Sequence, residues 1–262
     1  MRASAPPLRI CSSSVVALLF LLAATPTAHS ADTPDARDIV QAAIQHWRGL
    51  SSYSEMTMTI HRPEWERSMS MRTWTEGDKR SLVRVTGPAR DRGNGTLMDD
   101  DRMWTFSPKI NRVIKVPSSM MNQSWMGSDF SNKDVSRADD IVERYTHQVI
   151  ETRSEEGRNL YVIEAIPRED AAVVWGREEL EIREDHVVLN HRFYDQDGVL
   201  VKELQSLEVG EMGGRTVALR QRMANVENAG EWTEIRIDAV DYDVEHPPSL
   251  FTLSNLRNPR ER

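Results

Sequence analysis

From Met56 onward, apolar side chains fall at every second position. Met56, Met58 and Ile60 alternate with Thr57 and Thr59, and Met69 and Met71 alternate with Ser68, Ser70 and Arg72. A period of two is that of a half-buried strand, whose successive side chains leave opposite faces. The same reasoning predicts strands around residues 82–85, 96–98, 103–106 and 112–116, separated by turn signals at Glu76-Gly77-Asp78, Asp91 to Gly95, Asp99-Asp-Asp101 and Ser107-Pro108. Strand-like segments resume near residues 147–151, 160–166, 178–183, 187–194, 199–209, 216–223 and 234–244. One helix precedes them all. Ile39, Val40, Ala43, Ile44 and Trp47 recur at helical spacing; Thr33 is suited to cap, Pro34 to the first helical position, Asp35 and Asp38 to the positive end, and Gly49 to the stop. About a dozen strands and few helices predict a mainly β fold: one large antiparallel sheet that curls on itself, with helices laid across its mouth. No repeat and no dividing linker is visible, so residues 31–256 read as a single domain.

The alternation breaks between Pro117 and about Asp140. Within that break, Met120, Met121, Trp125, Met126 and Phe130 stand among small polar residues, in a segment too irregular for a strand. Nine of the twelve methionines fall between Met56 and Met126, together with Trp65, Trp74, Trp104 and Trp125. Methionine is unbranched and polarizable, so it fills irregular or changing space and suits surfaces that accept variable apolar partners. The composition therefore points to a hydrophobic ligand, with a plain Met-rich core as the alternative reading of the same residues.

Ahead of the helix, Arg2 and Arg9, the apolar run Val15 to Ala24 and the small-residue site Ala28-His29-Ser30 have the order of a cleavable secretory signal peptide over residues 1–30. The run falls well short of the roughly 20 residues that span a bilayer. Cys11, the only cysteine, precedes the run and cannot be the lipidated first residue of a mature chain. An exported, unlipidated, disulfide-free protein is expected. Removing the signal takes two arginines and no acid, leaving 31 basic against 41 acidic residues, or −10. That balance argues against nucleic-acid or anionic-membrane binding. The acids are dispersed and read as a solvated surface; Arg257 to Arg262 form a short basic tail.

Marks of catalysis are few. His186 and His191 are five apart, which along a strand puts them on opposite faces, so no metal site is expected. Asp195-Gln-Asp-Gly198 is followed by Val199 and Leu200 where a calcium loop needs oxygen ligands, and reads as a hairpin turn. No nucleophile elbow, zinc helix or phosphate loop occurs. No cofactor, metal or catalytic residue is assigned and no enzyme is expected; a hydrolase with an unmarked site is the lesser alternative.

Several segments in order carry a likeness: Gly87-Pro88, Gly93-Asn-Gly-Thr-Leu97, Met103-Trp-Thr-Phe-Ser-Pro108, Arg112-Val-Ile-Lys115, Ser124-Trp-Met-Gly-Ser-Asp-Phe130 and Pro248-Ser-Leu-Phe-Thr-Leu253. Together they resemble the LolA-like outer-membrane lipoprotein-sorting family, with Trp125 where phenylalanine is usual. The resemblance implies an incomplete antiparallel β-barrel with an apolar concave face closed by helices and a loop. It also implies a periplasmic, monomeric carrier of lipid or lipoprotein acyl chains, serving an inner-membrane transporter of the RND or MMPL type. An RseB-like sensor that binds a protein or lipoprotein partner through the same groove is the alternative. Candidate cavity-wall residues are Met56, Met58, Ile60, Met69, Met71, Trp74, Trp104 and Phe106; candidate lid residues are Met120, Met121, Trp125, Met126 and Phe130. On this reading, aspartate at Trp125 and Met126 should cost lipid capture more than folding.

Overall fold

The protein is seen here as a computed structural model, which describes residue 1 and residues 34–136, 139–155, 157–171, 173–228 and 230–259. Residues 2–30 of the expected signal peptide, and residues 260–262 of the basic tail, lie outside that set. Thirteen antiparallel strands and four short helices are present among the described residues. The first helix, α1, spans Ala36–Arg48. Strands β1 (Ser51–Arg62), β2 (Trp65–Glu76), β3 (Arg80–Gly87), β4 (Gly95–Asp99), β5 (Arg102–Ser107) and β6 (Arg112–Lys115) form a meander. A crossing segment holds a 3-10 turn at Ser118–Met120 and the helices α2 (Asn132–Ser136) and α3 (Asp140–Arg144). Seven strands follow: β7 (Tyr145–Glu155), β8 (Arg158–Pro167), β9 (Arg177–Arg183), β10 (Val188–Tyr194), β11 (Leu200–Met212), β12 (Arg215–Asn225) and β13 (Trp232–Tyr242), and α4 (Leu253–Arg257) closes the chain.

All thirteen strands lie in one sheet, in the order β6-β5-β4-β3-β2-β1-β13-β12-β11-β10-β9-β8-β7. The last strand returns to pair with the first, Met58 opposite Ile235 and Ile60 opposite Thr233, which joins the two meanders. β6 and β7 remain as free edges, so the barrel is incomplete, as expected. No described helix is long and apolar enough to cross a membrane.

At the start of α1 the cap is Asp35, whose Oδ1 accepts from the Arg37 and Asp38 amides at 2.8 and 3.3 Å; Pro34 lies ahead of the helix rather than in its first position, and Thr33 is outside the described residues. A carboxylate two residues ahead of the first free amides satisfies them and meets the positive helix end. Gly49 ends the helix at φ 68°, where a Cβ would come within 3.0 Å of the Ser51 carbonyl oxygen. Ile39, Val40 and Ala43 are buried against Tyr145, Ile163, Ala165, Leu180 and Ile182, but Trp47 is exposed. Arg48 turns inward instead and donates to the Gly77 carbonyl at 3.0 Å.

Strand pairing sorts side chains onto two faces. The inner face carries Met56, Met58 and Ile60 of β1 opposite Met71, Met69 and Arg67 of β2, continues through Val83, Met98 and Met103, and on the far side through Thr233, Met223, Lys202 and His191. Trp74, Leu82, Leu97 and Trp104 form a matching row on the outer face. There, with Phe106, they pack under Leu250, Phe251 and Leu256 of the C-terminal segment. A Cβ on Gly95 would meet the Leu256 Cδ1 at 2.8 Å, so α4 lies close over β4 and a side chain there would make Leu256 shift. Arg84 fixes α4 by donating to the carbonyls of Asn255 and Leu256 at 2.9 and 3.2 Å. Across β9, β10 and β11 the outer face carries ion pairs, such as Arg192 to Glu179, Glu181 and Glu203 at 2.8 to 2.9 Å.

One sequence detail changes. His186 sits in the β9–β10 turn at φ 67°, not on a strand, while His191 pairs with Glu178 at 2.6 Å on the inner face. The Asp195 to Gly198 segment is a hairpin turn closed by Asp195 Oδ1, which accepts from the amides of Asp197 and Val199 at 2.9 and 2.8 Å.

Candidate functional site

The segment from Pro117 to Ser136 runs between the free edges of the sheet and covers the inner face. Its centre is a tight loop. Met126 at φ 54° and Gly127 at φ 81° reverse the chain, and Ser124 bridges Ser131. The buried Ser128 hydroxyl donates to the Trp125 carbonyl at 2.7 Å, and the Trp125 amide donates to the Phe130 carbonyl at 2.8 Å. This geometry explains the composition of the Ser124 to Phe130 stretch. A small residue with a left-handed backbone follows Met126, a hydroxyl fills the middle, and the aromatic ring is thrown inward. Trp125 is 4% exposed and its Nε1 donates to Thr96 Oγ1 at 3.0 Å.

Met121 and Trp125 are buried, and Met126 and Val135 partly so, against Met58, Ile60, Met69, Met71, Val83, Val85, Met98 and Met103, with Met56 at the margin. Five of the eight candidate wall residues and three of the five candidate lid residues thus meet in one cluster. Met120 is exposed at 41%, and Phe130 lines a hollow beside the cluster. Trp74, Trp104 and Phe106 do not join; they belong to the outer-face cluster under α4. The reason is parity. Position 74 is out of step with 69 and 71, so a period of two sends Trp74 through the sheet, and Trp104 and Phe106 are out of step with Met103.

Backbone hydrogen bonds of the covering segment run largely within it, for example Gln123 to Met120, Asn132 to Gln123 and Lys133 to Met121. Its attachments to the sheet use side chains. Arg62 grips Asp129 with both terminal nitrogens at 3.1 Å, and the fully buried Thr233 donates to the same carboxylate at 2.6 Å while accepting from the Asp129 amide at 3.0 Å. Asp134 meets Lys202 at 2.5 Å and also caps α2 by accepting from the Ser131 amide at 2.7 Å. The Lys202 ammonium lies 4.6 and 5.1 Å from the ring centres of Phe193 and Trp175. These partners were missed in the sequence because Arg62 and Asp129 are 67 positions apart and Lys202 and Asp134 are 68 apart; nothing local links them.

Arg67 donates to the Met126 carbonyl at 3.5 Å and binds Asp91 at 2.7 Å. Burial works against the Asp91 charge, but the guanidiniums of Arg67 and Arg90 outweigh it and hold the carboxyl below its usual 3.8. A lowered acid pKa adds stability that is present above 3.8 and is lost as pH falls through the lower folded value. The thermal midpoint is therefore expected to fall below about pH 4, and Asp91→Asn to remove part of that fall. A midpoint curve with the same acid limb in both proteins would contradict it.

Deeper on the inner face, Tyr145 stands beside Glu178, and burial first, then the nearby carboxylate, push its phenol far up. Tyr145 therefore stays neutral. A hollow of about 370 Å³ lies at the edge of the covering segment, between Arg62, Phe130, Lys133, Trp175, Val201 and Lys202. Another, about 540 Å³, is on the outer face between Trp104, Val113, Lys115 and α4, away from the buried ion pairs. The apolar part of the inner face itself is filled by Met121, Trp125 and Met126.

An open antiparallel sheet with its apolar inner face covered by a side-chain-anchored crossing segment is the LolA-like incomplete barrel. A DUF1329 family protein from Desulfovibrio piger superposes with TM-score 0.76 at 26% identity, over 84% of this chain and 97% of the other. A domain described as an outer membrane lipoprotein-sorting protein, from Vibrio parahaemolyticus, gives 0.73 at 22% over 85% and 98%. A LolA superfamily protein from Nitrosomonas europaea gives 0.70 at 21% over 85% and 99%. A protein-family model described only as an uncharacterized protein matches residues 77–258, and the chain belongs to that family. No curated protein matches it in sequence.

Proposed function

We propose that the protein is a periplasmic carrier that takes acyl chains of a lipid or lipoprotein onto its inner face and passes them between membrane partners. The observation that carries this reading is the covering segment. Its backbone is largely satisfied from within and only side chains fasten it, so it can leave the sheet without orphaning the buried backbone groups of the wall. The wall it would uncover is the methionine cluster, a lining that adapts to variable chains. Burying hydrocarbon is worth about 0.8 kcal/mol per methylene, so two chains of about 15 carbons would cost on the order of 20 kcal/mol to expose to water. Free diffusion of such a lipid is negligible. A carrier needs a dry site that refills when cargo departs, and Trp125, Met121 and Met126 supply that filling. Export by the leading segment and an RND or MMPL-type partner complete the proposal.

Mass spectrometry of organic extracts from protein purified without detergent tests it. Acyl lipid recovered in near-stoichiometric amount is expected. Extracts free of lipid, from protein that also fails to bind a fluorescent fatty acid after delipidation, would overturn the carrier reading.

A further inference from the structure

Resting on that carrier reading, we infer that the cargo is an anionic amphiphile, whose negatively charged headgroup takes the places of Asp129 and Asp134 on Arg62 and Lys202. The covering segment already has the form of such a molecule. Its apolar part, Met121, Trp125 and Met126, lies on the methionine wall, and its two carboxylates lie a few residues further along, each on a cation of the wall. When the segment leaves, Asp129 and Asp134 leave with it, and so does Lys133.

What remains on the sheet is Arg62 and Lys202. With the segment in place both are largely buried, with side chains 16% and 9% exposed. A buried charge deprived of its partner is strongly unfavourable. Glu231 stays behind at 3.4 Å from the Arg62 Nε, and the His61 and Trp232 carbonyls stay at 2.7 and 3.3 Å from Nη1, so the loss falls on Nη2, whose acceptors Gly127 and Asp129 both lie on the segment. The rings of Trp175 and Phe193 partly compensate Lys202 through their faces but offer no hydrogen-bond acceptor. A neutral ester would leave Lys202 without its carboxylate and the Arg62 Nη2 without an acceptor. A carboxylate or phosphate accepts the Arg62 fork in the geometry Asp129 now uses and reaches Lys202 as Asp134 does. The hollow between these cations is lined on one side by the covering segment, which leaves, and on the other by Val174, Trp175, Val201 and Asn225, which stay as the wall against which a headgroup and the neck of its chain would lie.

The test titrates delipidated protein with a long-chain fluorescent fatty acid, with its methyl ester, and with inorganic phosphate. The acid should bind at least about tenfold tighter than the ester, a difference of about 1.4 kcal/mol. That gap should close in Lys202→Gln and Arg62→Gln. Asp129→Asn combined with Asp134→Asn keeps both cations but removes their present partners. It should bind the acid more tightly than the parent does, and its thermal melt reports folding. Equal affinity for acid and ester overturns the inference and leaves the carrier reading standing. Absence of binding to either probe overturns the carrier reading itself. Phosphate binding as tightly as the fatty acid assigns the cations to a free anion, which also overturns the inference.

Discussion

Truncating Trp125 to alanine is expected to weaken the closed protein by about 3–5 kcal/mol and, at the same time, to raise its apparent affinity for an acyl chain. The first effect follows from burial: the ring fills the centre of the methionine cluster and its Nε1 donates to Thr96. The second follows from competition. In the proposed carrier, closed packing and cargo compete for the same wall, so whatever weakens the former enlarges the fraction of molecules that accept the latter. A loss of 3 kcal/mol from the closed state alone corresponds to a gain of up to about 100-fold in apparent affinity. This expectation concerns truncation, which empties the wall; aspartate at the same position adds a charge to it and is expected from the sequence to cost lipid capture. Denaturant unfolding and titration with a fluorescent fatty acid measure both quantities. Lower stability with unchanged or weaker binding would make the segment a fixed part of the core.

Leu256→Ala is expected to cost about 2–5 kcal/mol of stability and to leave acyl affinity unchanged. Leu256 is fully buried on Leu82, Leu97 and Phe106, on the face of the sheet opposite the methionines. Trp104→Ala should behave in the same way, because Trp104 packs in that outer cluster. The pair separates the two faces: a change in probe affinity in either variant at a temperature where it is fully folded would contradict the division.

Much of the fold is legible along the chain. Each of the thirteen strands lies where alternation and turn residues place it, with ends displaced by a few positions, as at β7, which begins at Tyr145 rather than His147. The pattern survives because a strand's period is written in adjacent residues. The helix is similarly visible in Ile39, Val40 and Ala43, although the last turn is not: exposure of Trp47 and burial of Arg48 depend on where the β2–β3 turn presents the Gly77 carbonyl. For the site, the methionine strands and the Ser124 to Phe130 loop stand out in composition, and Met58, Met69, Met71, Met121 and Trp125 do meet. Apolar character alone also drew in Trp74, Trp104 and Phe106, whose parity already pointed the other way.

The sequence by itself determined the elements, their order and the chemistry of the covering segment, since these depend on near neighbours. Tertiary structure alone decided which face each strand turns inward, that β13 closes on β1, and that Asp129 and Asp134 are met by Arg62 and Lys202. Those outcomes join residues tens to hundreds of positions apart. Only the register of a folded sheet, fixed by burying one face of every strand at once, brings them together.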